Sequence, residues 1–463
     1  MRVEEKAPAR AYRWRWAALA ALLAAEAMNL LDATIVQVAA PVMRRDLGGA
    51  RSGIQWFSAA YTLPFAVLLI TGGRLGDRCG RRRVFTAGVA GFALASLCCA
   101  LAPGAGTLIA ARAVQGAAAA MVIPQTFGLI RAMFDGPEMA RALGSIGPVM
   151  GLSAVCGPVL GAFLTDALSW RAAFLVNIPP ALAVLGTAPL LREDRAARPP
   201  RMDLTGTALA ILGTGLVVYP LIQGDTAGWP PWTWTAMAGG LAVLVLFGVH
   251  QLHTARRGRD PLVEPSLFRD RGFPAALATS TLFFAAVNGL MVVIVLQIQL
   301  GLGRGVLSAG LTLLPWSCAL AASSWFAGTT LVPRYGQSVM FAGLGCLLAG
   351  LLAAIAVYRA AEPGSYPWPL LGALSVAGAG NGLFTVPFFT AALARVRPHE
   401  TGSAAGLLNA VQQFGGTLGI ALLGTAFFHV LPGAGAPAAV QAACWIAVAL
   451  LAAGTATAAL MRR

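Results

Sequence analysis

Charged side chains are scarce in this chain. They make up 11% of its 463 residues, whereas soluble domains carry roughly 25%. Apolar residues make up 57% of the chain, and its mean hydropathy is +0.72. A soluble protein of this length would form about two to four domains. The composition excludes that class and predicts one polytopic, all-α membrane protein.

The chain also lacks the side-chain groupings that many enzymes use. Lys6 is its sole lysine, so the phosphate-binding loop that places a lysine after a glycine is absent. Seven cysteines occur, but none forms a C-x-x-C pair with a histidine nearby. No nucleophile triad is recognisable. We therefore predict no enzyme activity, no metal and no cofactor.

Apolar segments long enough to cross a bilayer recur along the whole chain. A crossing helix needs about 20 mostly apolar residues. Helix is required as well as favoured, because lipid offers no partner for open backbone groups. We predict fourteen spans, at 17–43, 54–73, 84–102, 106–130, 141–165, 172–191, 204–223, 234–253, 273–299, 307–330, 338–358, 367–393, 403–430 and 438–460.

Arginine supplies nearly all of the +15 net charge, and its distribution indicates an orientation in the membrane. If both termini are cytoplasmic, 26 of the 33 basic residues fall inside and six outside, with Arg112 within a span. This asymmetry follows the positive-inside rule. The bases are not interleaved with aromatic residues on a polar face, so nucleic acid is not an expected partner. We predict a multi-pass protein of the cell membrane with both termini cytoplasmic.

A short internal repeat suggests duplication. Leu75–Gly80 and Leu331–Gly336 share the pattern Leu-x-x-Arg-x-Gly, each after the second helix of a set of six. We predict two six-helix halves, 1–191 and 273–463, separated by linkers and two inserted helices in 192–272. Transporters built from such repeats bind substrate between the halves, near the middle of the membrane.

The segment Gly73–Arg83 joins two spans and contains five arginines. Its glycines allow a tight turn, and we expect Asp77 to pair locally or to cap a helix end. The pattern Gly-x-Leu-x-Asp-Arg-x-Gly-Arg-Arg resembles the loop between the second and third helices of the major facilitator superfamily of secondary transporters. The resemblance implies a gating loop of Gly73, Asp77, Arg78, Gly80 and Arg81. The alternative is that this loop only directs the topology and folding of the chain.

Further strings resemble the drug:proton antiporters with fourteen helices in that superfamily. Leu31–Pro41 is similar to the motif Leu-Asp-x-Thr-Ile-Val-Asn-Val-Ala-x-Pro, with Gln37 at the usual asparagine position, and Arg112–Gly116 matches Arg-x-x-Gln-Gly. Trp170–Pro179 and Gly402–Gly416 also resemble segments of that family. The family places an antiporter motif in the fifth helix, where this chain has Gly147, Pro148, Gly151, Gly157, Pro158 and Gly161.

Small residues four apart let helices meet closely, and proline permits bending. The fifth helix is therefore predicted either to rock between the halves or only to pack tightly. The chain has Ala162 in place of a second glycine after Pro158, which we expect to loosen one helix contact. Gln37 in place of asparagine is expected to alter the substrate range.

Glu26, Asp32 and Arg112 are the main ionisable residues inside predicted spans, where a charge costs roughly 2.5–3.5 kcal/mol on insertion scales. Glu26 and Asp32 share the first span, but six residues turn a helix by about 240°, so both cannot face one point. We predict that Asp32, with Glu26 as second candidate, binds and releases a proton and that Arg112 biases the carboxylate. The alternative is that Arg112 is permanently paired and only holds helices together.

Uncharged polar residues within the spans are candidates for a substrate cavity. Hydrogen bonding between helices explains such residues almost as well. Gln115 is expected to orient Arg112. The cavity candidates are Gln37, Gln115, Asn288, Asn381, Asn409 and Gln412.

The resemblance implies a proton-coupled antiporter that exports small apolar or cationic compounds such as drugs or antibiotics. Its expected ligands are a small-molecule substrate and a proton, its surroundings are the lipid bilayer, and it is expected to be monomeric. Three alternatives stay open: a dedicated exporter of one endogenous metabolite, a proton symporter for uptake, and a non-transporting membrane sensor or lipid-binding scaffold.

Overall fold

A computed structural model describes residues 12–195, 201–362, 364–394, 396–397 and 400–461. Within these ranges every regular element is helical, as the composition predicts, and thirteen helices are long and apolar enough to cross a membrane. Several basic residues used in the orientation argument lie outside the described residues, namely Arg2, Lys6, Arg10, Arg198, Arg395, Arg462 and Arg463.

We number the crossing segments in chain order. The first twelve contain between 19 and 33 residues each. They are α1 Arg15–Leu47, α2 Gly53–Cys79, α3 Arg81–Ala100, α4 Ala105–Met133, α5 Arg141–Ala167, α6 Ala172–Leu190, α7 Leu204–Ala227, α8 Pro231–Arg256, α9 Gly272–Gly301, α10 Val306–Tyr335, α11 Ser338–Ala360 and α12 Pro369–Leu393.

The last apolar helix, Thr401–Leu460, contains two crossings. Its 60 residues would extend about 90 Å at 1.5 Å per residue, roughly three times the hydrocarbon thickness of a bilayer. Gly435 interrupts it with φ 77°, a conformation that favours glycine, between Pro432 and Pro437. We therefore treat α13 (401–434) and α14 (436–460) as separate spans, which brings the total to the predicted fourteen.

Two predicted spans in the first half are interrupted. The predicted helix 141–165 corresponds to Gly136–Gly144 and Ile146–Ala167, which meet at Ser145. α6 begins as Ala172–Leu175 and resumes as Ile178–Thr187. Two prolines follow this second break, and they cannot donate the backbone hydrogen bonds that a continuous helix needs. Asn177 lies at the break.

Glycines allow close helix crossings at equivalent places in the two sets of six helices. A Cβ atom on Gly116 of α4 would lie 2.1 Å from the Tyr61 carbonyl oxygen of α2. A Cβ atom on Gly378 of α12 would lie 2.3 Å from the Trp316 carbonyl oxygen of α10. These pairs occupy corresponding positions, which agrees with the predicted duplication. The domain boundaries themselves stay a prediction.

The inserted helix α7 lies beside α2. We call the membrane end that carries residues 74–83, 192–195, 201–203 and 256–272 the basic end, and the other the opposite end. Val218 and Ile222 of α7 form a small core with Ala59 of α2 and Ala421 of α13. α8 packs on α7 and is largely exposed. The inserted pair is thus attached where the two halves meet.

Replacement of Gly116 by alanine is expected to destabilise the α2–α4 crossing, because the new methyl group meets backbone rather than a movable side chain. Overpacking of this kind costs about 1–3 kcal/mol. Gly345→Ala is the matched control, since nothing lies within 4 Å of its Cβ position, and alanine there adds up to about 1 kcal/mol of helix propensity. Unfolding midpoints in detergent would measure both; equal midpoints would contradict the close crossing.

Candidate functional site

A cavity of about 370 Å³ lies between the two halves. Helices α1, α2, α4 and α5 form one wall, and α9, α10, α12 and α13 form the other. Phe127 and Ile146 extend the lining toward the basic end. A concave, mainly apolar space with a few polar groups is typical of small-molecule sites. Its larger apolar side chains are Phe65, Phe127, Met150, Phe284, Met291 and Trp316.

Polar contacts between the halves gather at the opposite end. Gln55 Nε2 of α2 donates to the carbonyl oxygens of Ile420 and Ala421 in α13, at 3.2 and 3.0 Å. Gln299 Nε2 of α9 donates to the Val38 carbonyl oxygen of α1 at 2.8 Å. These bonds close the cavity on that side. The cavity therefore continues toward the basic end.

Asp32 and Arg112 form an ion pair inside the first half. Arg112 Nε also donates to the Phe57 carbonyl oxygen at 3.0 Å. Gln115 Nε2 and Asn177 Nδ2 both donate to Asp32 Oδ1, at 2.9 and 2.8 Å. The four side chains are at most 2% exposed. A guanidinium and two amides thus satisfy the carboxyl oxygens of Asp32, and the network ties α1, α2, α4 and α6 together.

Two further residues complete this network and were missed by the sequence reasoning. Ser96 Oγ on α3 accepts hydrogen bonds from Gln115 at 2.7 Å and Asn177 at 3.2 Å. The Tyr61 ring lies 4.3 Å from the Arg112 guanidinium carbon, close enough for a cation–π contact. A polar residue in the middle of an apolar span is the signal that marks both, but it does not reveal the partner.

Glu26 has a different environment on the same helix. It is 4% exposed and lines the cavity, and its Oε1 atom has no hydrogen-bond partner among the described residues. No salt bridge to it is formed within that part of the chain. Asp32 faces the helices of its own half, whereas Glu26 faces the cavity, as the predicted angle of about 240° between them requires. Which of the two acids carries the proton stays a prediction.

Most of the predicted cavity residues lie on the cavity wall. Gln115 does not, because it is buried beside Arg112 and Asp32. Asn288 Nδ2 and Asn409 Nδ2 each donate to a carbonyl oxygen one turn earlier in their own helix, at 3.0 Å. They are thus held in place by their helices rather than by neighbouring ones. The predicted residues that line the cavity are Gln37, Asn288, Asn381, Asn409 and Gln412.

The second part of the α5 motif is tightly packed. A Cβ atom on Gly157 would lie 1.9 Å from Thr34 Oγ1 of α1. A Cβ atom on Gly161 would lie 2.8 Å from the Ile35 Cα atom of the same helix. α5 therefore approaches α1 as closely as two helix backbones allow.

The first part of the motif is open. Nothing lies within 4 Å of a Cβ position on Gly147, and the nearest atom to that of Gly151 is Ala321 Cβ of α10 at 4.0 Å. Pro148 is exposed. The segment between Ser145 and Gly151 therefore has room to move, whereas the part around Pro158 does not.

The basic loop is fastened within its own half. Asp77 Oδ1 accepts a hydrogen bond from Arg81 at 2.6 Å, and Arg81 Nε lies 3.2 Å from Asp194 in the linker after α6. The Arg82 backbone N–H donates to Glu193 Oε1 at 3.1 Å. Among the other predicted loop residues, Gly80 adopts φ 101° between α2 and α3, Gly73 approaches Pro124, and Arg78 is exposed.

Comparisons with known proteins identify relatives along nearly the whole chain. The chain is 44% identical over 425 residues to a probable actinorhodin transporter of Streptomyces coelicolor, covering 91% of this chain and 74% of that protein. It is 37% identical to the puromycin resistance protein pur8 of Streptomyces alboniger, covering 89% and 81%. It is 34% identical to the cephamycin export protein CmcT of Amycolatopsis lactamdurans, covering 88% and 84%.

The fold also matches solved structures. A POT family transporter in complex with a thioalcohol-conjugated peptide superposes with a TM-score of 0.70 over 96% of each chain, at 12% sequence identity. Sequence identity at that level supports the fold alone. The family model described as Major Facilitator Superfamily matches residues 22–420 of this sequence. With that match, and with the relatives above, the chain belongs to the major facilitator superfamily.

Proposed function

We propose that this chain is a proton-coupled exporter of drug-like or antibiotic compounds and that Glu26 carries the proton. The observation that carries the proposal is the carboxyl group of Glu26, which lies on the cavity wall without a charged partner among the described residues. Relatives named for antibiotic transport, resistance and export support the direction of transport. Two of these relatives are named for transport or export.

The proposed cycle alternates between openings at the two ends of the cavity. In the described state the cavity continues toward the basic end, which the positive-inside rule assigns to the cytoplasm, together with both termini. Cargo that enters from the cytoplasm displaces the proton of Glu26. After the opposite end opens, the carboxylate binds a proton from outside and cargo leaves. In general, burial favours the neutral form of a carboxyl group, and contact with water or a cation favours its charged form.

The driving force is sufficient for export. A proton that moves down a potential of 100 mV releases about 2.3 kcal/mol, and a tenfold gradient of a neutral compound costs about 1.4 kcal/mol. One proton per neutral molecule therefore supports more than a tenfold gradient.

The cavity suits small aromatic compounds. Aromatic and methionine side chains offer adaptable apolar contacts, the amides of Asn288 and Gln412 offer hydrogen bonds, and Glu26 offers one negative charge for a cation. Export of one endogenous metabolite is the second candidate, because the 44% identical relative is named for transport of actinorhodin. Both candidate functions use the same transport mechanism.

We propose that the protein acts as a monomer in the cytoplasmic membrane.

The basic loop is proposed to support this cycle as a gating element. Its contacts from Arg81 to Asp77 and Asp194 fasten the basic ends of α2 and α3 to the linker after α6. The loop therefore moves with the first half, and Arg78, which is exposed, is the residue free to meet the other half when the basic end closes.

Glu26→Gln is expected to lower proton-driven efflux at least tenfold, because glutamine cannot release a proton. Downhill exchange of the same compound should persist. Ethidium and puromycin in proteoliposomes with an imposed pH gradient are suitable probes. Glu138→Gln is the control, since that acid pairs with Arg15 at the basic end, away from the cavity. Efflux that still follows the pH gradient in Glu26→Gln would remove Glu26 from the mechanism.

Asp32→Asn is expected to act on stability rather than on proton release. Removal of one partner from a buried ion pair costs about 3–5 kcal/mol, because Arg112 keeps its charge. Asp46→Asn is the control: its pair with Arg171 is half exposed, and exposed pairs contribute about 0–1 kcal/mol. Thermal unfolding and dye-detected proton release on cargo addition would be measured together. Normal stability without proton release would identify Asp32 as the carrier instead.

A further inference from the structure

The inserted helix α7 contacts both halves at the opposite end of the molecule. We call the line along which α2 packs on α13 the seam. Val218 and Ile222 of α7 cover the seam where Ala59 of α2 meets Ala421 of α13. α7 is thus more than a spacer between the halves, because it lies over the contact that closes the cavity.

Hydrogen bonds fix α7 to α13 at this end. Thr425 Oγ1 of α13 donates to the Leu221 carbonyl oxygen of α7 at 3.0 Å. His429 Nδ1 of α13 lies 2.9 Å from Asp225 Oδ1 of α7. Thr425 also accepts a hydrogen bond from Gln55 Nε2 of α2 at 3.3 Å. The bonds from α7 and the bonds across the seam therefore share a residue.

Other contacts fix α7 to α2 at both ends. At the opposite end, Ser52 Oγ, in the residue before α2, donates to Gln223 Oε1 at 3.0 Å. One turn further along α2, the rings of Trp56 and Tyr219 have centroids 5.8 Å apart. Toward the basic end, the hydroxyl oxygens of Thr71 and Thr207 are 3.0 Å apart.

Arg74 of α2 anchors the two connections of the inserted pair. Its guanidinium donates to the carbonyl oxygens of Arg201, before α7, and Asp260, after α8, at 3.2 and 3.1 Å, and also to that of Pro261. Both connections are thus held to the first half at the basic end.

α7 is thus bonded to α2 at both ends, whereas its hydrogen bonds to α13 lie at the opposite end. We propose that α7 moves with α2 and binds α13 only while the opposite end is closed, so that it holds the transporter closed toward the outside. The proposal rests on the alternating opening of the cavity proposed above. It assigns the inserted pair a function: release of Asp225 and Leu221 from α13 is part of the barrier to opening outward, while the bonds of α7 to α2 persist through the cycle.

Two crosslinks at the same end test the proposal. Asp225→Cys with His429→Cys places thiols on α7 and α13, and Ser52→Cys with Gln223→Cys places them on α2 and α7. A short bis-thiosulfonate reagent joins each pair reversibly. Downhill ethidium exchange in proteoliposomes needs no proton gradient, so the result does not depend on Glu26. The parent chain treated with the reagent controls for its native cysteines.

The expected pattern is asymmetric. The α7–α13 crosslink should reduce exchange at least tenfold, and a reductant should restore it, whereas the α2–α7 crosslink should leave exchange within twofold of the parent. Inhibition by both crosslinks, by neither, or by the α2–α7 crosslink alone would overturn the proposal. Absence of ethidium exchange in the untreated parent would count against the proposed function instead.

If the untreated parent shows no ethidium exchange, crosslink yields in the purified protein test the contact between α7 and α13 without cargo. Gln55→Ala with Thr62→Ala removes bonds across the seam and should favour opening. The α7–α13 yield should then fall at least threefold and the α2–α7 yield should stay constant. Unchanged yields for both pairs, or a parallel fall of both, would overturn the proposal.

Discussion

The buried ion pair of Asp32 and Arg112 is the interaction on which the first half depends. An unpaired charge at this depth is expensive, and here the carboxylate is satisfied by a guanidinium and two amides. Through these bonds and the Phe57 carbonyl oxygen, helices α1, α2, α4 and α6 are joined to one another. A rigid half is what a rocking transporter needs, because tilt then changes contacts between halves rather than within them.

Two acids on the same helix have different surroundings. Asp32 is occupied by its partners inside the first half. Glu26 lies on the other side of α1, toward the cavity. A buried polar network and the cavity wall thus use different faces of one helix, six residues apart, and the proposed proton exchange at Glu26 rests on that separation.

Much of this arrangement was accessible from the sequence. The helical membrane fold and the superfamily were predicted correctly, because apolar length and fixed motif positions are local signals. Most residues predicted for a substrate cavity do line the cavity, while their role stays a prediction. The sequence also grouped Asp32, Arg112 and Gln115, but it did not reveal the bond from Asn177 to Asp32, because those two residues are remote in the chain. The break at Ser145 and the fastening of Arg81 to Asp194 were likewise not visible, because both depend on tertiary contacts.

The closure of the opposite end has a property that side-chain pairs lack. Gln55 and Gln299 donate to main-chain oxygens of Ile420, Ala421 and Val38, and these oxygens are present whatever side chain the residue carries. Gln55 also donates to the hydroxyl oxygen of Thr425, and all three residues that accept through the main chain are buried. Packing therefore limits the size of the side chains at these three positions, whereas the chemistry of the closure comes from the two glutamine amides. The residues that hold the opposite end shut are thus separate from those that line the cavity.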